Sequence, residues 1–401
     1  MIKKYIFGTP FPTESIIVPI EPAQGVPEYG EVSLENGFTF SFHMDSEDIV
    51  YGLGEANRGI NKRGFVYTSN CSDNPNHLED TISLYGAHNF IVVSGVLTFG
   101  IYIDYPSSLT FDIGFTRTDE LKIHCQEADL DLYIIEGDGA YHITKQFRKM
   151  IGRSYIPPKF AFGFGQSRWG YRTTEDFLEV ARGYRRNHIP IDMIYMDIDY
   201  MEDYKDFTVN NEFADFPAFV HNMKKNGIRL IPIIDAGGKI EKDYEIYEEG
   251  VKNNYFCKKK DGSDFVAAVW PGYTHLPDVL NPEVRRWFGS KYRILTDQGI
   301  EGFWNDMNEP AMFYTPEGIQ NIKNKMKTFI EQDENKDDVW NMQNEVMSLA
   351  NSPADYASIY HNINGSLVCH EKLHNLYGFN MTRAAGEALR SISPEKRCLL
   401  F

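Results

Sequence analysis

The chain has 401 residues, 42% of them hydrophobic and 14% aromatic, and a formal net charge of −17 from 40 basic and 57 acidic side chains. That length predicts two or three domains with sizeable cores, and the acidic balance argues against nucleic acid and anionic membranes as partners. No apolar run approaches the roughly 20 residues of a membrane span, and residues 1–20 lack the apolar core of about 7–15 residues that a signal peptide needs.

Residues 1 to about 155 read as an N-terminal β-sandwich. Phe38–Phe42 alternates apolar and polar with period two, as a half-buried strand does. Asn89–Val93, Leu97–Tyr102, Leu121–Cys125 and Leu130–Ile135 continue the series, separated by Gly, Asp and Asn turns. A helix is predicted over Ala140–Met150, and Pro157-Pro158 marks the boundary. From 156 to 401 the pattern becomes strand, loop, helix, strand. Strands are predicted at Phe160–Gly165, Ile191–Asp199, Ile228–Asp235 and Ile300–Trp304, with a fifth beginning at Arg397. Between them lie a helix capped by Thr173–Asp176, a helix over Ala218–Asn226 and a helix over Pro282–Asp297. About 315–375 reads as a polar helical excursion. Apolar strands alternating with helices predict a parallel sheet covered on both faces, here a (β/α)8 TIM barrel truncated after about its fifth strand.

The first four of those strands end in polar or aromatic residues, the mark of a barrel active site. They end at Gln166–Trp169, Asp197–Tyr200, Asp235–Gly237 and Asp306–Glu309. No Gly-rich phosphate turn occurs, which argues against nucleotide binding. The run Gly302–Pro310 is the most telling. Trp304 offers a flat apolar face beside the carboxylate of Asp306, a pairing that suits a sugar ring under nucleophilic attack at its anomeric carbon. An N-cap acid ahead of a helix is the plainer alternative. Asp199 reads as a structural acid, and Glu309 as either an orienting group or a cap. Asp235 faces substrate or merely ends its strand. His77, His88 and His275 read as ordinary satisfied histidines, and Lys258–Gly262 as a solvated hairpin tip. Cys71, Cys125, Cys257, Cys369 and Cys398 are dispersed without a CxxC spacing. They read as free thiols of a reducing, cytoplasmic compartment, with no structural metal.

Taken in order, these motifs resemble glycoside hydrolase family 31, the retaining α-glucosidases. The resemblance runs from Tyr51–Glu55 through Asn61–Gly64, Gly165–Tyr171, Asp197–Met201, Val269–Pro271, Trp304–Pro310 and His374–Gly378. It implies that Asp306 is the catalytic nucleophile and that Asp197 binds glucose hydroxyls. It also implies that Trp270 and Trp304 wall the sugar pocket, with Ile198 and Ile233 as apolar neighbours. Asp73 matches an acid on an N-terminal-domain loop that reaches over the site. Trp169 stands where many members carry Tyr, which bears on linkage preference. The implied substrates are short oligosaccharides of the maltose or isomaltose type, without a cofactor. An α-xylosidase, a transglucosylase and a non-catalytic sugar-binding remnant are the competing readings, and homo-oligomerisation is left open. The family's acid/base Asp follows the fifth barrel strand, and this chain stops at Phe401. The expectation is therefore an N-terminal piece of a longer enzyme, with little activity on its own.

Overall fold

The computed structural model describes the backbone of residues 1–331 and 336–401, and side chains outside 329–339. The chain divides into two units. The first comprises Met1–Tyr155 with Lys372–Leu376, the second Ile156–Glu371 with Tyr377–Phe401.

The first unit is built on two five-stranded antiparallel sheets. One orders its strands Ile2–Phe7, Leu130–Glu136, Thr98–Asp104, Phe90–Ser94 and Ile49–Gly52. The other runs Glu31–Ser33, Phe38–His43, Glu120–Cys125, Leu109–Ile113 and Phe65–Ser69. The period-two alternation works as the physics requires: in Phe38–His43 the residues Phe38, Phe40 and Phe42 are buried while Thr39 and Ser41 are not. Leu109–Ile113 shows the same pattern. The inward faces share one apolar cluster, in which the Phe42 ring meets Phe99 edge-on at 5.0 Å. The helix Ala140–Ile151 places Phe147 flat on Phe90 at 3.8 Å. The short segment 372–376 is tied into this unit through Asn375. That side chain accepts from Cys71 N at 2.9 Å and donates to the carbonyls of Ser69 and Ser107.

The second unit carries a five-stranded parallel sheet in chain order: Gly165–Gln166, Met193–Met196, Arg229–Ile234, Gly302–Asn305 and Leu399–Leu400. The connecting helices include Thr174–Arg186, Phe216–Lys225, Pro282–Lys291 and Leu376–Ile392. Thr173 and Asp176 form a reciprocal capping box at the first of these, as the sequence predicts. Gly302 shows why the strands pack so closely. A Cβ there would lie 2.8 Å from Leu399 Cβ and 2.9 Å from Ile231 Cδ1. Among the described residues, no helix is long and apolar enough to cross a membrane.

Several predicted elements differ. Phe160–Gly165 is not a strand: Lys159–Phe162 forms a 3-10 turn, closed by Ala161 N donating to Pro158 O at 3.0 Å. Only Gly165 and Gln166 pair with the neighbouring strand. Ile191–Asp199 shortens to Met193–Met196, because the Asp197 side chain accepts from Ile198 N and starts a 3-10 turn over Ile198–Tyr200. Pro282–Asp297 is split near Tyr292, whose N–H bonds three residues back to Gly289. The excursion at 315–375 is helical over Pro316–Glu331, Lys336–Met347 and Pro353–Tyr356. It then forms a hairpin, Tyr360–Ile363 with Ser366–Cys369. Residues 332–335 of that prediction lie outside the described residues. Alternation over so short a hairpin is too weak to stand out against its polar, helix-forming surroundings.

Candidate active site

Three parallel strand ends bring acids together. Met196 pairs with Pro232, so Asp197 emerges level with Ile233, which in turn pairs with Trp304. One step further, Ile234 pairs with Asn305, setting Asp235 beside Asp306. Asp306 N donates to Ile234 O at 3.0 Å and fixes this register. Asp306 and Trp304 are half-buried, as a group needs to be if a ligand is to reach it. Met307 N donates to Asp306 Oδ1 at 2.8 Å. Met307 holds φ at +56°, the left-handed conformation a non-glycine residue adopts only under local constraint. The turn then passes through the buried Glu309 and a cis bond to Pro310.

Asp197 is half-buried, and Ile198 and Ile233 beside it are buried. Burial pushes the Asp197 carboxyl above the usual carboxylate range; the Ile198 N–H opposes this and the charge of Asp199 adds to it. Asp199 itself turns away into the protein, meeting Arg172 Nε at 3.7 Å and accepting from Tyr204 OH at 3.4 Å. Asp235 is only 3% exposed, so it does not face open solvent; its N–H donates to Asp206 Oδ1 at 2.8 Å.

The aromatic residues sit in two groups. Trp304 meets Tyr195 edge-on at 6.0 Å. Trp270 meets Phe313 edge-on at 4.8 Å and Trp169 at 6.2 Å. Trp169 and Trp270 are 58% and 41% exposed, high for indoles in a folded unit, so two large apolar faces stay open to solvent. Asp73, in the loop after Phe65–Ser69, belongs to the first unit. Asp197, Ile233, Trp304 and Asp306 thus sit at or just beyond the C-terminal ends of parallel strands, and Trp169 and Trp270 in loops of the same unit.

The comparisons with known proteins fall on this same segment. The profile of the "Glycosyl hydrolases family 31 TIM-barrel domain" matches residues 154–401. The chain belongs to glycoside hydrolase family 31. A second profile, the "Glycosyl hydrolase 31 N-terminal galactose mutarotase-like domain", matches residues 21–112. Alpha-glucosidase 2 of Bacillus thermoamyloliquefaciens is 35% identical over 361 residues, covering 89% of this chain and 41% of that protein. The alpha-glucosidase of Saccharolobus solfataricus is 25% identical over 398 residues, covering 97% of this chain and 54% of that one. Among solved structures, the family 31 dextranase of Flavobacterium johnsoniae in complex with glucose superposes with a TM-score of 0.75 at 24% identity. It covers 92% of this chain and 41% of the dextranase. A family 31 alpha-glucosidase from Bacteroides thetaiotaomicron gives 0.71 at 24% identity, covering 92% and 55%. These structural likenesses establish the fold: a mutarotase-like β domain followed by a family 31 barrel domain. This family 31 chain thus spans about two-fifths to just over half the length of these relatives.

Sequence reasoning missed several residues of the family 31 strand ends. Asp206 lies in a stretch with left-handed backbone at Asp203, Tyr204 and Phe207, and nothing in its local pattern marks it. Tyr200 OH donates to Ile233 O at 2.8 Å, Tyr244 OH to Asp206 O at 3.1 Å and Tyr292 OH to Asn305 Oδ1 at 2.6 Å. These tyrosines tie loops and helices to the strand ends. A second cluster was equally hidden, in which Cys257, Asp278 and His361 bring ligand-type atoms within 4.8 Å of one another. Hydrogen bonds engage its members: His361 Nδ1 lies 2.8 Å from Asp278 Oδ1, and its Nε2 lies 2.9 Å from His370 Nδ1. Asp278 Oδ2 also accepts from Asn362 N at 2.7 Å. The cluster anchors the Tyr360–Cys369 hairpin to the loop ahead of the helix Pro282–Lys291. Residues distant in sequence supply it, so Cys and His spacing gave no sign of it.

Proposed function

We propose that the protein is a retaining, exo-acting α-glucosidase that removes terminal α-linked glucose from short oligosaccharides, with Asp306 as nucleophile. The observation that carries this reading is the half-buried Asp306 held beside Trp304 at a parallel strand end, with Asp197 emerging from a neighbouring strand. In this mechanism Trp304 and Trp270 pack against the sugar's C–H surface, and Asp197 accepts hydrogen bonds from its hydroxyls. Ile198 and Ile233 exclude water around the ring. Asp306 attacks the anomeric carbon as the glycosidic bond breaks, forming a glycosyl ester that water then cleaves. Retention needs a second carboxyl about 5–5.5 Å from the nucleophile to protonate the leaving oxygen. This reading assigns that role to none of the acids above: Asp197 holds hydroxyls, Asp235 is buried, and Glu309 supports the nucleophile turn.

In this reading Trp169, set against Trp270, narrows the acceptor side and so biases the linkage accepted. Glucose is preferred over xylose and hydrolysis over transfer because relatives such as the 35% identical Alpha-glucosidase 2 of Bacillus thermoamyloliquefaciens are alpha-glucosidases. Five free thiols support a reducing, cytoplasmic location. The test is turnover of maltose and isomaltose beside the same protein carrying Asp306→Asn, with a mechanism-based cyclitol as trap. Labelling at Asp306 is expected; labelling at another carboxylate defeats the assignment.

A further inference from the structure

Asp206 and Asp235 form a buried acid pair next to the proposed nucleophile. They are 1% and 3% exposed. Asp206 Oδ1 takes the Asp235 N–H, while Asp206 Oδ2 and both oxygens of Asp235 have no hydrogen-bond partner. Among the described residues, no lysine or arginine forms an ion pair with either. Lys205, adjacent in sequence, points to Glu241 at 2.8 Å and to Glu202 at 3.6 Å. Burial raises the Asp235 carboxyl most, and the charges of Asp206, Asp306, Asp197 and Glu309, all acids, add to it. Tyr200, Tyr244 and Tyr292 surround the pair as neutral hydroxyls, since burial and the charge of Asp206 hold each well above the usual phenol range. Two adjacent carboxylates without cation or solvent cannot both stay ionised, because desolvation and like-charge repulsion act in the same direction.

We propose that this pair holds one proton at neutral pH, carried by Asp235. The assignment within the pair follows from the donors. Burial pushes both carboxyls above the usual carboxylate range, but backbone N–H groups of Asp235 and Gly237 oppose this at Asp206, whereas the Asp235 carboxyl is offered none. A neutral Asp235 lets the adjacent strand ends carry Asp306 and Asp197 without a further charge between them. The proton does not rest on the nucleophile assignment above.

The test is infrared spectroscopy of the chain labelled isotopically in aspartate, in ordinary and heavy water at pH 7. A carboxylic-acid C=O band is expected in the wild type, absent in Asp235→Asn and retained in Asp206→Asn. No such band in the wild type, or a band unchanged in Asp235→Asn, overturns the proposal. A second arm follows chemical unfolding against pH. The folded state binds a proton that the unfolded chain releases near the ordinary carboxylate value of about 3.9. Stability from this group is therefore complete below that value and falls as pH rises towards the folded-state ionisation. Relative to Asp235→Asn, the wild-type folded-to-unfolded ratio should drop by up to about tenfold per pH unit. Parallel slopes would overturn it. Should Asp235→Asn not fold, the wild-type band and the Asp206→Asn spectrum still decide. Because neither arm needs turnover, an inactive protein with the band present separates failure of the glucosidase reading from failure of this one.

Discussion

The two units bury different chemistry. Between the two sheets of the first lie Phe38, Phe40, Phe99, Phe111, Ile113 and Leu121, each with no exposed surface. The strand ends of the second bury Asp199, Asp206, Asp235 and Glu309 instead. An apolar core is held by area removed from water and is indifferent to pH. A cluster of acids costs stability unless protons or hydrogen bonds offset it, and a protein tolerates that cost where the charges serve a site. The comparison teaches where this molecule invests in rigidity and where in reactivity.

Breaking the comparison at its reactive end gives the largest effect. With an acid/base partner in place, Asp306→Asn should lower glucoside turnover by on the order of 10⁴-fold or more while leaving the unfolding midpoint nearly unchanged, read by steady-state kinetics and a melt. A melt that collapses with activity would return Asp306 to the status of a structural cap. At the rigid end, Phe111→Ala should cost about 3–5 kcal/mol, measured by urea unfolding, with the same loss at pH 5 and pH 8. A pH-dependent loss there would contradict an apolar, uncharged core.

Smaller effects sharpen the contrast. Trp169→Tyr should change the ratio of maltose to isomaltose turnover several-fold, on the order of 1 kcal/mol of discrimination, without altering stability. An unchanged ratio removes Trp169 from the substrate path. Thr173→Ala removes the side-chain acceptor of the capping box and should cost about 1 kcal/mol in the second unit alone, seen as faster amide exchange in the helix Thr174–Arg186.

Much of this was legible in the linear chain. Phe38–His43 announced itself because a strand places alternate side chains on opposite faces, and only one face meets the core. The helix at Thr174–Arg186 was legible from Thr173 and Asp176, because a cap is a local device with fixed spacing. Asp197, Trp304 and Asp306 were legible as strand-end chemistry. Strand limits were less so: Met193–Met196 stops where the Asp197 side chain bonds its neighbour's backbone, a competition that periodicity does not register.

By itself, then, the sequence determined two domains of different grammar, the alternating inward faces of the sandwich, the parallel strands of the second unit and the acids at their ends. Periodicity, caps and turn residues act over a few positions, and that information is local. Only the tertiary structure decided that Asp235 is buried, with its N–H on Asp206, and that Tyr200, Tyr244 and Tyr292 tie the strand ends to their surroundings. It alone brought Cys257, Asp278 and His361 together. Burial and charge coupling arise between residues far apart along the chain, so they exist only once the chain has folded.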